Sequence, residues 1–509
     1  MKELHFALTG QVQQDALNVL FAQQNDDESE LERGFLGIIH AGQGDIRRTL
    51  FLREIVPQEK GWVKWTDEGL KFSPHYFSGA FDYVAERPKG AGIIIVHSHP
   101  GSSSIAQRPR PSKPDLIHER RLLYHASLAL PEESPLAAGI VSPGGSWRVR
   151  EYHFQPKSRV QGNRHPTDKF EHSDAMTIRL IERQQLRFQF DDAKTPVIHN
   201  ATETDSTLAL WGKQGQQVLG NVRVAIVGVG GVGSILVEFL ARLGVGELVL
   251  VDYDLLGEEN LNRSLGARRS DVGKPKVQYV SRVARQAATA SKFTVRTFRG
   301  SVAELNGLRI VLDCDIVFCV TGNAFARQVL DHASYAYLIP VIDGGTTLLV
   351  NPKDGGITGR SQIAEAGPGG PCLECLGVYS RDEATIAREE PGMQDQSSYV
   401  QVAGGASTRN VPRAPSVIST NGLVASVMTQ RFLCTVLGFP PGEGLGQQRY
   451  YVNQGEMLWG PTESCHSTCA KHSWIGLGDS HAVPTGVDLS WRQLRNTKGS
   501  SDVGSGVRS

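Results

Sequence analysis

The stretch VAIVGVGGVG at residues 224–233 is followed by VDYDLLGEENLNR at 251–263 and by GKPK at 273–276. A short apolar run that ends in clustered glycines and continues into an apolar helical pattern is typical of a strand, a tight loop and a helix whose N-terminus binds phosphate. The first stretch therefore predicts a nucleotide-binding strand, loop and helix. Its loop glycines are Gly228, Gly230, Gly231 and Gly233.

The residues after this loop distinguish between two kinds of nucleotide enzyme. Asp252 follows the next predicted strand, where an acid can bind ribose hydroxyls in a dehydrogenase as well as in an ATP-binding enzyme. Asn260, Arg263 and Lys276 add hydrogen-bond donors and fixed positive charge. Attack at the α-phosphate of a triphosphate requires such groups, whereas a nicotinamide does not. The pattern therefore favours ATP-dependent chemistry.

Strand and helix patterns alternate over residues 206–480. Strands joined by crossover helices predict a parallel sheet with right-handed connections, which is an α/β, doubly wound, Rossmann-like fold. The predicted elements are RVAIVG, GSILVEFLARLG, ELVLVDYD, KVQYVSRVARQAA, FTVRTF, DIVFCVTG, VIDGGTTL and a later helix, STNGLVASVMTQRFLCTVLG.

The order and spacing of these motifs resemble the ThiF/MoeB/ubiquitin-activating enzyme family over about residues 208–460. The resemblance implies a homodimer that uses ATP and magnesium to adenylate the C-terminal carboxylate of a small protein. It assigns Arg263 and Lys276 to the phosphates and Asp252 to the ribose. The nucleotide-binding set that it implies is Gly228, Gly230, Gly231, Gly233, Asp252, Asp254, Asn260, Arg263, Lys276 and Asn323.

The chain departs from that family's pattern in three places. Gly322 stands where members carry the aspartate that binds magnesium, so either another acid such as Asp343 binds the metal or binding is weakened. Members often receive an arginine from the partner subunit, and Arg183 or Arg187 is a candidate substitute. Residues 380–412, predicted as a long loop, contain no cysteine. That composition favours adenylation without a stable loop thioester.

A second motif lies near the N-terminus, where His97-Ser98-His99-Pro100 precedes Ser112-x-x-Asp115. Alternate side chains of a strand share one face, so His97 and His99 can bind one metal ion. Asp115 opens a predicted helix and can supply a third ligand, which leaves a fourth position for water. The competing interpretation is structural, because Ser-x-x-acid before a helix is also a capping box.

This motif resembles the JAMM (JAB/MPN) metalloprotease family over roughly the first 150 residues. The resemblance implies cleavage after the C-terminal glycine of a ubiquitin-like protein by zinc held on His97, His99 and Asp115. It assigns Ser112 to stabilising the tetrahedral intermediate. A glutamate on an earlier strand would accept the proton from water, with Glu32 preferred and Glu30 as the alternative.

The segment between the two parts of the motif is unusual. GSSSIAQRPRP, residues 101–111, is longer than the spacer of the resembled family and is predicted to form an insertion over the cleft. His118 lies one predicted helical turn beyond Asp115. It is expected to face solvent, although it could compete as a ligand.

Four of the seven cysteines form two short-spaced pairs, Cys372 with Cys375 and Cys465 with Cys469. Such pairs predict a closed tetrahedral zinc site in a reducing compartment. His466 could replace one thiolate, and redox activity is the rival interpretation. The other thiols are expected to be core residues: Cys314, Cys319 and Cys434.

Composition limits the partners and the compartment. The 509 residues contain 53 Lys plus Arg and 53 Asp plus Glu, so no excess charge favours nucleic acid or a membrane surface. The most apolar segment is too short to span a membrane, and the N-terminus lacks a secretory pattern. We expect a cytoplasmic protein.

Four segments are predicted along the chain. Residues 1–155 mix strands and helices and form the JAMM-type α/β domain, with FLGIIHAG and AGIIIVHSHP as buried strands. Residues 156–205 are predicted as a linker with one helix, AMTIRLIERQQLRFQF. Residues 206–480 form the ThiF-type domain with its structural zinc, and residues 481–509 form a flexible tail.

The two motifs carry complementary reactions, because a hydrolase that exposes a carboxylate is joined to an enzyme that adenylates one. The leading hypothesis is a bifunctional enzyme that processes or deconjugates a ubiquitin-like protein and activates it for a separate conjugating enzyme. The alternatives are activation of a sulfur-carrier protein for biosynthesis and a scaffold whose adenylation site has decayed. Related fusions act in antiphage defence, a pathway that no residue here specifies.

Overall fold

The structure is a computed structural model that describes residues 2–21, 32–66, 69–99, 108–154, 170–183, 185–190, 201–350, 356–389, 416–439, 446–460 and 465–486. Its strands form a nine-stranded sheet in the N-terminal part, an eight-stranded sheet in the C-terminal part and a small hairpin. The chain is therefore a mixed α/β protein with two main sheets.

The N-terminal sheet has the strand order β11-β10-β1-β3-β2-β6-β7-β8-β9. Helix α3 packs against one face of this sheet, over strand β6. Helix α1 packs against the opposite face of the sheet. The elements are β1 (Glu3–Thr9), α1 (Gly10–Phe21), β2 (Gly34–Gln43), β3 (Arg47–Ile55), β4 (Val63–Thr66), β5 (Gly69–Phe72), α2 (Pro74–Ala85), β6 (Gly92–Ser98), α3 (Lys113–Ala129), β7 (Leu136–Val141), β8 (Trp147–Phe154), β9 (Phe170–Asp174), β10 (Thr177–Glu182) and β11 (Gln185–Phe190).

The helix predicted within residues 175–190 is wrong. This segment forms the antiparallel hairpin β10–β11, and β10 pairs in parallel with β1. Ile178 and Ile181 are buried against the rest of the sheet. The gain from pairing and burial at an open sheet edge outweighs a weak helical pattern, because β preference depends mainly on tertiary context. The hairpin extends the N-terminal sheet and is not a linker.

The C-terminal sheet has the strand order β14-β13-β12-β15-β16-β17-β18-β19. Strands β12 to β16 are parallel and the rest are antiparallel, which confirms the predicted parallel sheet. The elements are α4 (Ala201–Asn221), β12 (Arg223–Val227), α5 (Gly231–Arg242), β13 (Glu247–Val251), α6 (Lys276–Ala287), β14 (Thr294–Phe298), α7 (Leu305–Leu312), β15 (Ile316–Cys319), α8 (Ala324–Ala336), β16 (Val341–Val350), β17 (Ile357–Ala366), α9 (Arg381–Glu389), α10 (Ile418–Leu437), β18 (Gln448–Tyr451) and β19 (Glu456–Trp459).

Local sequence explains the strand, loop and helix unit at residues 223–242. Gly228 has φ +95°, a conformation that side chains with a Cβ rarely adopt. A Cβ on Gly233 would come within 2.0 Å of the Gly228 carbonyl oxygen, so only glycine lets α5 approach β12 this closely. Both positions therefore fix the entry of α5 over the end of the sheet.

The two parts of the chain meet along a buried junction. Apolar side chains of the N-terminal sheet, including Ala7 and Phe51, share one core cluster with helices α7 and α8. The backbone amide of Ile46 donates to the Asp313 carboxylate at 3.1 Å. His40 Nδ1 lies 2.8 Å from Ser480 Oγ. The junction thus combines apolar packing with polar contacts.

Two predicted features relate to the chain's ends and to membranes. Residues 481–486 are described, and the amide of Gly486 donates to the carbonyl of Ala303 at 2.9 Å. The rest of the predicted tail lies outside the described residues. Within the part of the chain that the structure describes, no helix has the length and apolar character needed to cross a membrane.

Candidate functional site

Four side chains of the N-terminal part converge at one end of its sheet. His97 is the penultimate residue of β6, and His99 directly follows the strand. Gly34 of β2 pairs with His97, which places Glu32 beside the two histidines. The Nε2 atom of His99 lies 3.2 Å from Asp115 Oδ2 and 3.6 Å from Glu32 Oε1. His97 Nε2 lies 3.8 Å from Asp115 Oδ1. Ligand atoms of the four side chains lie within 4.8 Å of one another.

The donor set of this cluster suits a zinc ion. The Nε2 atoms of His97 and His99 are buried, and neither makes a hydrogen bond of good geometry within the described residues. Buried polar atoms are normally satisfied, so two orphaned imidazole nitrogens beside a carboxylate fit a metal ion. Burial raises the pKa of Glu32 above the ordinary value of a glutamate. The nearby His97 and His99 oppose this rise but do not cancel it.

The helix that carries Asp115 is also capped by its own motif. Ser112 Oγ accepts a hydrogen bond from the Asp115 amide at 3.2 Å, and Asp115 Oδ2 accepts one from the Ser112 amide at 2.6 Å. The Ser-x-x-Asp motif therefore forms a capping box and also contributes Asp115 to the cluster. The cap fixes the first turn of α3 and so directs the Asp115 carboxylate toward the histidines.

Three other N-terminal predictions have different outcomes. His118 is half-buried, and its Nε2 has no hydrogen-bond partner among the described residues, so the expectation that it faces solvent is wrong. Glu30 and residues 100–107 lie outside the described residues. Arg108, at the end of the predicted insertion, is buried and donates to the carbonyl of Ala175 at 2.6 Å.

A cavity of about 340 Å³ opens at the carboxyl ends of β12, β13 and β15. Ligands of open α/β sheets bind at this edge. The lining residues are Val227, Gly228, Gly230, Val251, Asp252, Tyr253, Asp254, Arg263, Lys276, Gly300, Ser301, Val302, Val320, Thr321, Gly322, Asn323 and Ala326. The structure therefore brings most of the predicted nucleotide-binding residues to one cavity.

The cavity is lined by glycines of the loop and by charged side chains. A Cβ on Gly230, the N-cap of α5, would meet nothing within 4 Å, so this position leaves room for a ligand at the helix N-terminus. Lys276 Nζ lies 2.8 Å from Asp254 Oδ2. Burial lowers the pKa of Lys276, but Asp252 and Asp254 outweigh it and raise that pKa, so the ammonium stays charged.

Asp252 joins the glycine loop to the end of β13. Its Oδ2 accepts a hydrogen bond from the amide of Val229 at 2.8 Å, and its Oδ1 accepts one from the amide of Asp254 at 2.8 Å. Burial raises its pKa, whereas the charge of Lys276 lowers it. The carboxylate therefore braces the loop while it lines the cavity.

Three predicted nucleotide-binding residues do not line the cavity. Asn260 is buried, and its Oδ1 accepts a hydrogen bond from the Gly257 amide at 3.0 Å as a local cap. A Cβ on Gly231 would come within 2.3 Å of Asn421 Nδ2, and Gly233 packs on Gly228. The two glycines therefore act through close packing, and Asn260 acts through its local hydrogen bond.

Asp343 is not available as the substitute magnesium ligand that the sequence suggested. It is 2% exposed, and its Oδ2 lies 2.9 Å from Nε of Arg327. A buried acid needs a compensating charge, and Arg327 supplies it. The acids that line the cavity are Asp252 and Asp254.

The two candidate substitutes for the arginine that family members receive from a partner subunit lie outside this chain's own cavity. Arg183 is in the turn between β10 and β11, where its backbone is close to Gly369. Arg187 is on β11 and pairs with Glu182. Neither lines the nucleotide cavity within this chain.

Sequence reasoning missed several lining residues. Gly300 and Ser301 follow β14, and Thr321 follows β15. The rule that ligands bind at the carboxyl ends of parallel strands could have identified them, because Gly300 and Ser301 lie just beyond the predicted strand FTVRTF and Thr321 lies at the end of the predicted element DIVFCVTG.

The four paired cysteines form a compact cluster next to α8. Their sulfur atoms lie within 4.8 Å of one another, and Cys372 Sγ is 3.9 Å from Cys469 Sγ. Four thiolates at about 2.3 Å from a tetrahedral zinc ion are separated by about 3.8 Å. Hydrogen bonding with Cys465 is the main factor that lowers the pKa of Cys372 to about 5. His466 is exposed and outside the cluster, so the set fits zinc without it.

A buried lysine stabilises this cluster. Lys471 Nζ donates to Cys372 Sγ at 3.4 Å and lies 3.1 Å from Asp331 Oδ2 and 2.6 Å from Glu374 Oε2. Asp331 also accepts a hydrogen bond from the Leu373 amide at 3.0 Å. The network links the cysteines to α8. The remaining thiols are buried in the core, as predicted: Cys314, Cys319 and Cys434.

A sequence profile of the ThiF family matches residues 203–466. The chain belongs to the ThiF family. The family match covers the eight-stranded sheet, the nucleotide cavity and the first three cysteines of the cluster. It confirms the predicted Rossmann-like ThiF-type part of the fold.

Among relatives of this ThiF-family chain, the SAMP-activating enzyme E1 of Haloferax volcanii is 29% identical over 175 residues, which cover 34% of this chain and 60% of that protein. The molybdopterin-synthase adenylyltransferase of Escherichia coli is 30% identical over 164 residues, covering 32% of this chain and 61% of that protein. The chain thus spans about 60% of the length of these two relatives.

The fold is also similar to a solved structure, that of E. coli MccB with MccA-N7isoAsn. The identity is 17% and the TM-score is 0.41, over 53% of this chain and 75% of that chain.

The N-terminal metal cluster and the nucleotide cavity lie at strand ends remote from the polar contacts of the junction. Those contacts involve the starts of β12 and β15, where Arg223 and Asp315 lie, whereas the nucleotide cavity opens at the opposite ends of these strands. Ile46 contacts Asp313 just beyond the end of β2, whereas the start of β2 pairs with His97. Ten residues of β2 span about 30 Å at about 3.3 Å each.

Proposed function

We propose that the ThiF-type part adenylates the C-terminal carboxylate of a ubiquitin-like or sulfur-carrier protein with ATP. The observation that carries this proposal is the cavity in which the glycine loop, Asp252, Arg263 and Lys276 converge at the carboxyl edge of the sheet. Two relatives support the substrate class, because one is named a SAMP-activating enzyme and the other a molybdopterin-synthase adenylyltransferase.

The chemistry follows from the charges that line the cavity. A carboxylate oxygen of the substrate protein attacks the α-phosphorus of ATP, the bond to the bridging oxygen breaks, and pyrophosphate leaves. Lys276 and Arg263 offset the negative charge that grows on the phosphates. Asp252 binds the ribose, and Asp254 orients Lys276 through their 2.8 Å contact.

For the N-terminal part we propose a zinc hydrolase that cleaves after the C-terminal glycine of the same class of protein. Its support is the pair of orphaned histidine nitrogens beside Asp115 and Glu32. A zinc ion on His97, His99 and Asp115 would act as a Lewis acid toward water and the scissile carbonyl. Glu32 is placed to accept a proton from that water, and the Ser112 hydroxyl to stabilise charge on the carbonyl oxygen.

Between the two substrate classes, we favour activation of a sulfur-carrier-like protein. One relative named above is an adenylyltransferase for molybdopterin synthase, which is a biosynthetic enzyme, and residues 380–412 contain no cysteine for a loop thioester. Burial raises the pKa of the core thiols Cys314 and Cys319 and so keeps them from acting as nucleophiles. Conjugation through a separate enzyme is the second candidate, supported by the presence of a candidate isopeptidase site. We also propose a homodimer, as the family resemblance implies.

The two sites work in succession on a free substrate. We infer that the tail of one bound protein does not reach both sites, because each site lies at strand ends remote from the polar contacts of the junction. A trimmed substrate therefore leaves the hydrolase site before it is adenylated.

ATP–pyrophosphate exchange tests the proposal with a ubiquitin-like or sulfur-carrier protein in two forms, one ending in its terminal glycine and one extended beyond it. We expect exchange with the first form at once, and with the extended form only after a lag. Absence of exchange with every candidate protein would favour the decayed scaffold. Immediate exchange with the extended form would contradict the requirement for hydrolysis.

A further inference from the structure

A buried ion pair lies one helical turn beyond the Asp115 carboxylate. Glu119 on α3 and Arg150 on β8 are 2% and 1% exposed. Arg150 Nη2 donates to Glu119 Oε1 at 2.6 Å and to Oε2 at 2.8 Å. The Tyr152 hydroxyl also donates to Glu119 Oε2, at 2.8 Å. Glu119 is therefore held by two groups of the same strand.

The pair attaches α3 to the sheet face that carries the histidines. Ile95 pairs with Ala138, and Ala138 pairs with Arg150, so these three residues form one row across β6, β7 and β8. His97 lies two residues beyond Ile95 and shares its face. On α3, Asp115 and Glu119 are four residues apart and lie on one side of the helix.

Further along α3, the side chain that faces the sheet is apolar. Leu123, four residues beyond Glu119, is fully buried and belongs to the core cluster that contains Ile95 and Ala138. The side of α3 that faces the sheet therefore presents a metal-ligand candidate, a buried charge and an apolar residue in succession.

A buried ion pair at this position needs a reason other than stability. Apolar side chains of similar volume often give equal or greater stability than a buried pair. Apolar contacts, however, allow a helix to shift or rotate slightly, whereas a hydrogen-bonded carboxylate and guanidinium set its position and orientation. Ligand geometry at a metal site depends on such restraints from the surrounding residues.

We propose that the Glu119–Arg150 pair positions Asp115 as a metal ligand. Glu119 and Arg150 are positioning residues, because neither belongs to the cluster formed by Glu32, His97, His99 and Asp115. This inference rests on the proposed zinc hydrolase. The pair fixes the position of α3 relative to β6. It thereby fixes the Asp115 carboxylate relative to the imidazoles of His97 and His99.

The test is zinc affinity at the hydrolase site, measured by chelator competition on the full chain with the cysteine site already occupied. The triple variant is Glu119→Leu with Arg150→Met, made together with Tyr152→Phe so that no buried hydroxyl loses its partner, and it replaces the pair by apolar side chains of similar size. We expect its melting temperature without zinc at the hydrolase site to equal or exceed that of the wild type. We expect its zinc affinity to fall about 10- to 100-fold.

The matched control is Arg48→Met with Glu151→Leu. Arg48 Nη2 lies 2.6 Å from Glu151 Oε1, and Glu151 is 2% exposed on the same strand as Arg150. Because neighbouring residues of a strand face opposite ways, this second pair lies on the other face of the sheet, with the Arg48 side chain 22% exposed. Its replacement should leave zinc affinity unchanged.

The single variant Glu119→Gln serves if the triple variant fails to fold, because it retains the size and one hydrogen bond. We expect this variant to bind zinc more weakly. Its stability without zinc at the hydrolase site is measured in parallel. Unchanged zinc affinity in the folded variants, or an equal fall in the control, would overturn the positioning role. A wild-type protein that binds zinc only at its cysteines would instead contradict the hydrolase proposal itself.

Discussion

Arg47 and Asp315 form an ion pair of 2.7 Å across the junction between the two parts of the molecule. Their side chains are 3% and 2% exposed. The Nη1 atom of Arg179 lies 3.7 Å from the same carboxylate oxygen, and the amide of Arg223 donates to the other at 2.9 Å. Asp315 thus connects β3 and β10 of one sheet to β12 and β15 of the other.

Asp315→Asn should destabilise the whole chain. The substitution leaves two buried guanidinium groups without their shared anion, and breaking a buried pair in this way costs about 3–5 kcal/mol. Urea unfolding followed by fluorescence and circular dichroism measures the loss. Glu238→Gln, which removes an exposed pair with Arg242 on α5, should change stability by less than about 0.5 kcal/mol. A loss below about 1 kcal/mol for Asp315→Asn would contradict the role of this pair.

Mild acid should also weaken the junction. Burial lowers the pKa of His5 to about 3 and that of His40 to about 4. The unfolded chain binds protons at these residues below about pH 6.5 while the folded chain does not, so stability falls from pH 6.5 toward pH 4. The cost at pH 5 is about 2 kcal/mol for each histidine.

Stability measured at pH 7 and pH 5 tests this prediction. The His40→Gln variant should lose less stability between the two values than the wild type. His75→Gln, on the exposed side of α2, should keep the full dependence. Equal pH dependence in all three proteins would show that burial of His40 has no part in it.

Cys372→Ser should remove one zinc ion per chain and loosen both parts of the molecule. A structural zinc site contributes directly to folding free energy. The segment after Cys469 continues to Ser473, whose carbonyl accepts a hydrogen bond from Arg53 at 3.0 Å, and to Ser480 beside His40. Metal analysis and limited proteolysis provide the measurements, with Cys434→Ala as a control that retains zinc. Unchanged zinc content in Cys372→Ser would exclude the site.

Lys276→Ala should abolish adenylation and leave hydrolysis intact. The ammonium offsets charge that grows during attack on the α-phosphate, and the loss of one such contact commonly costs about a hundredfold or more in rate. Pyrophosphate exchange and cleavage of an extended substrate are measured on the same preparation. Lys274→Ala, two residues away and outside the cavity lining, is the matched control. Normal exchange by Lys276→Ala would mean that the phosphates bind elsewhere.

A mixture of Asp115→Ala and Lys276→Ala proteins should process and adenylate an extended substrate as well as the wild type does. If the two sites act in succession on a free substrate, as proposed, the trimmed product reaches the second site through solution in every case. Adenylate formation is compared at equal concentrations of each intact site. Either variant alone should fail with the extended substrate. A mixture much slower than the wild type would indicate direct transfer within one molecule.

Local sequence patterns suffice to predict the nucleotide site and the cysteine site. The glycine loop, the acid after the second strand and the basic residues all lie within residues 224–276, and their order predicts a nucleotide site because a strand, a turn and a helix close to each other in sequence fold as one unit. The short cysteine pairs are equally informative, because each pair can supply two ligands from a single turn.

Other features depend on long-range contacts and could not be read from the sequence. Whether residues 177–190 formed a helix or a hairpin depended on the open edge at β1, with which β10 pairs. Whether Asp343 could bind magnesium depended on Arg327, which forms an ion pair with it inside the protein. The pairing of Glu119 with Arg150 has no sequence signal, because 31 positions separate two residues of unremarkable context.

The α/β class of the C-terminal part, its nucleotide loop and the candidate metal ligands could be predicted from residue type and short spacing. The long-range encounters could not: Thr321 meets Lys276 around the nucleotide cavity, and Glu32 rather than another acid lies 3.6 Å from His99 among the described residues. The physical reason is that strand pairing and burial act between residues far apart in the chain, and those terms decide which local tendencies are kept.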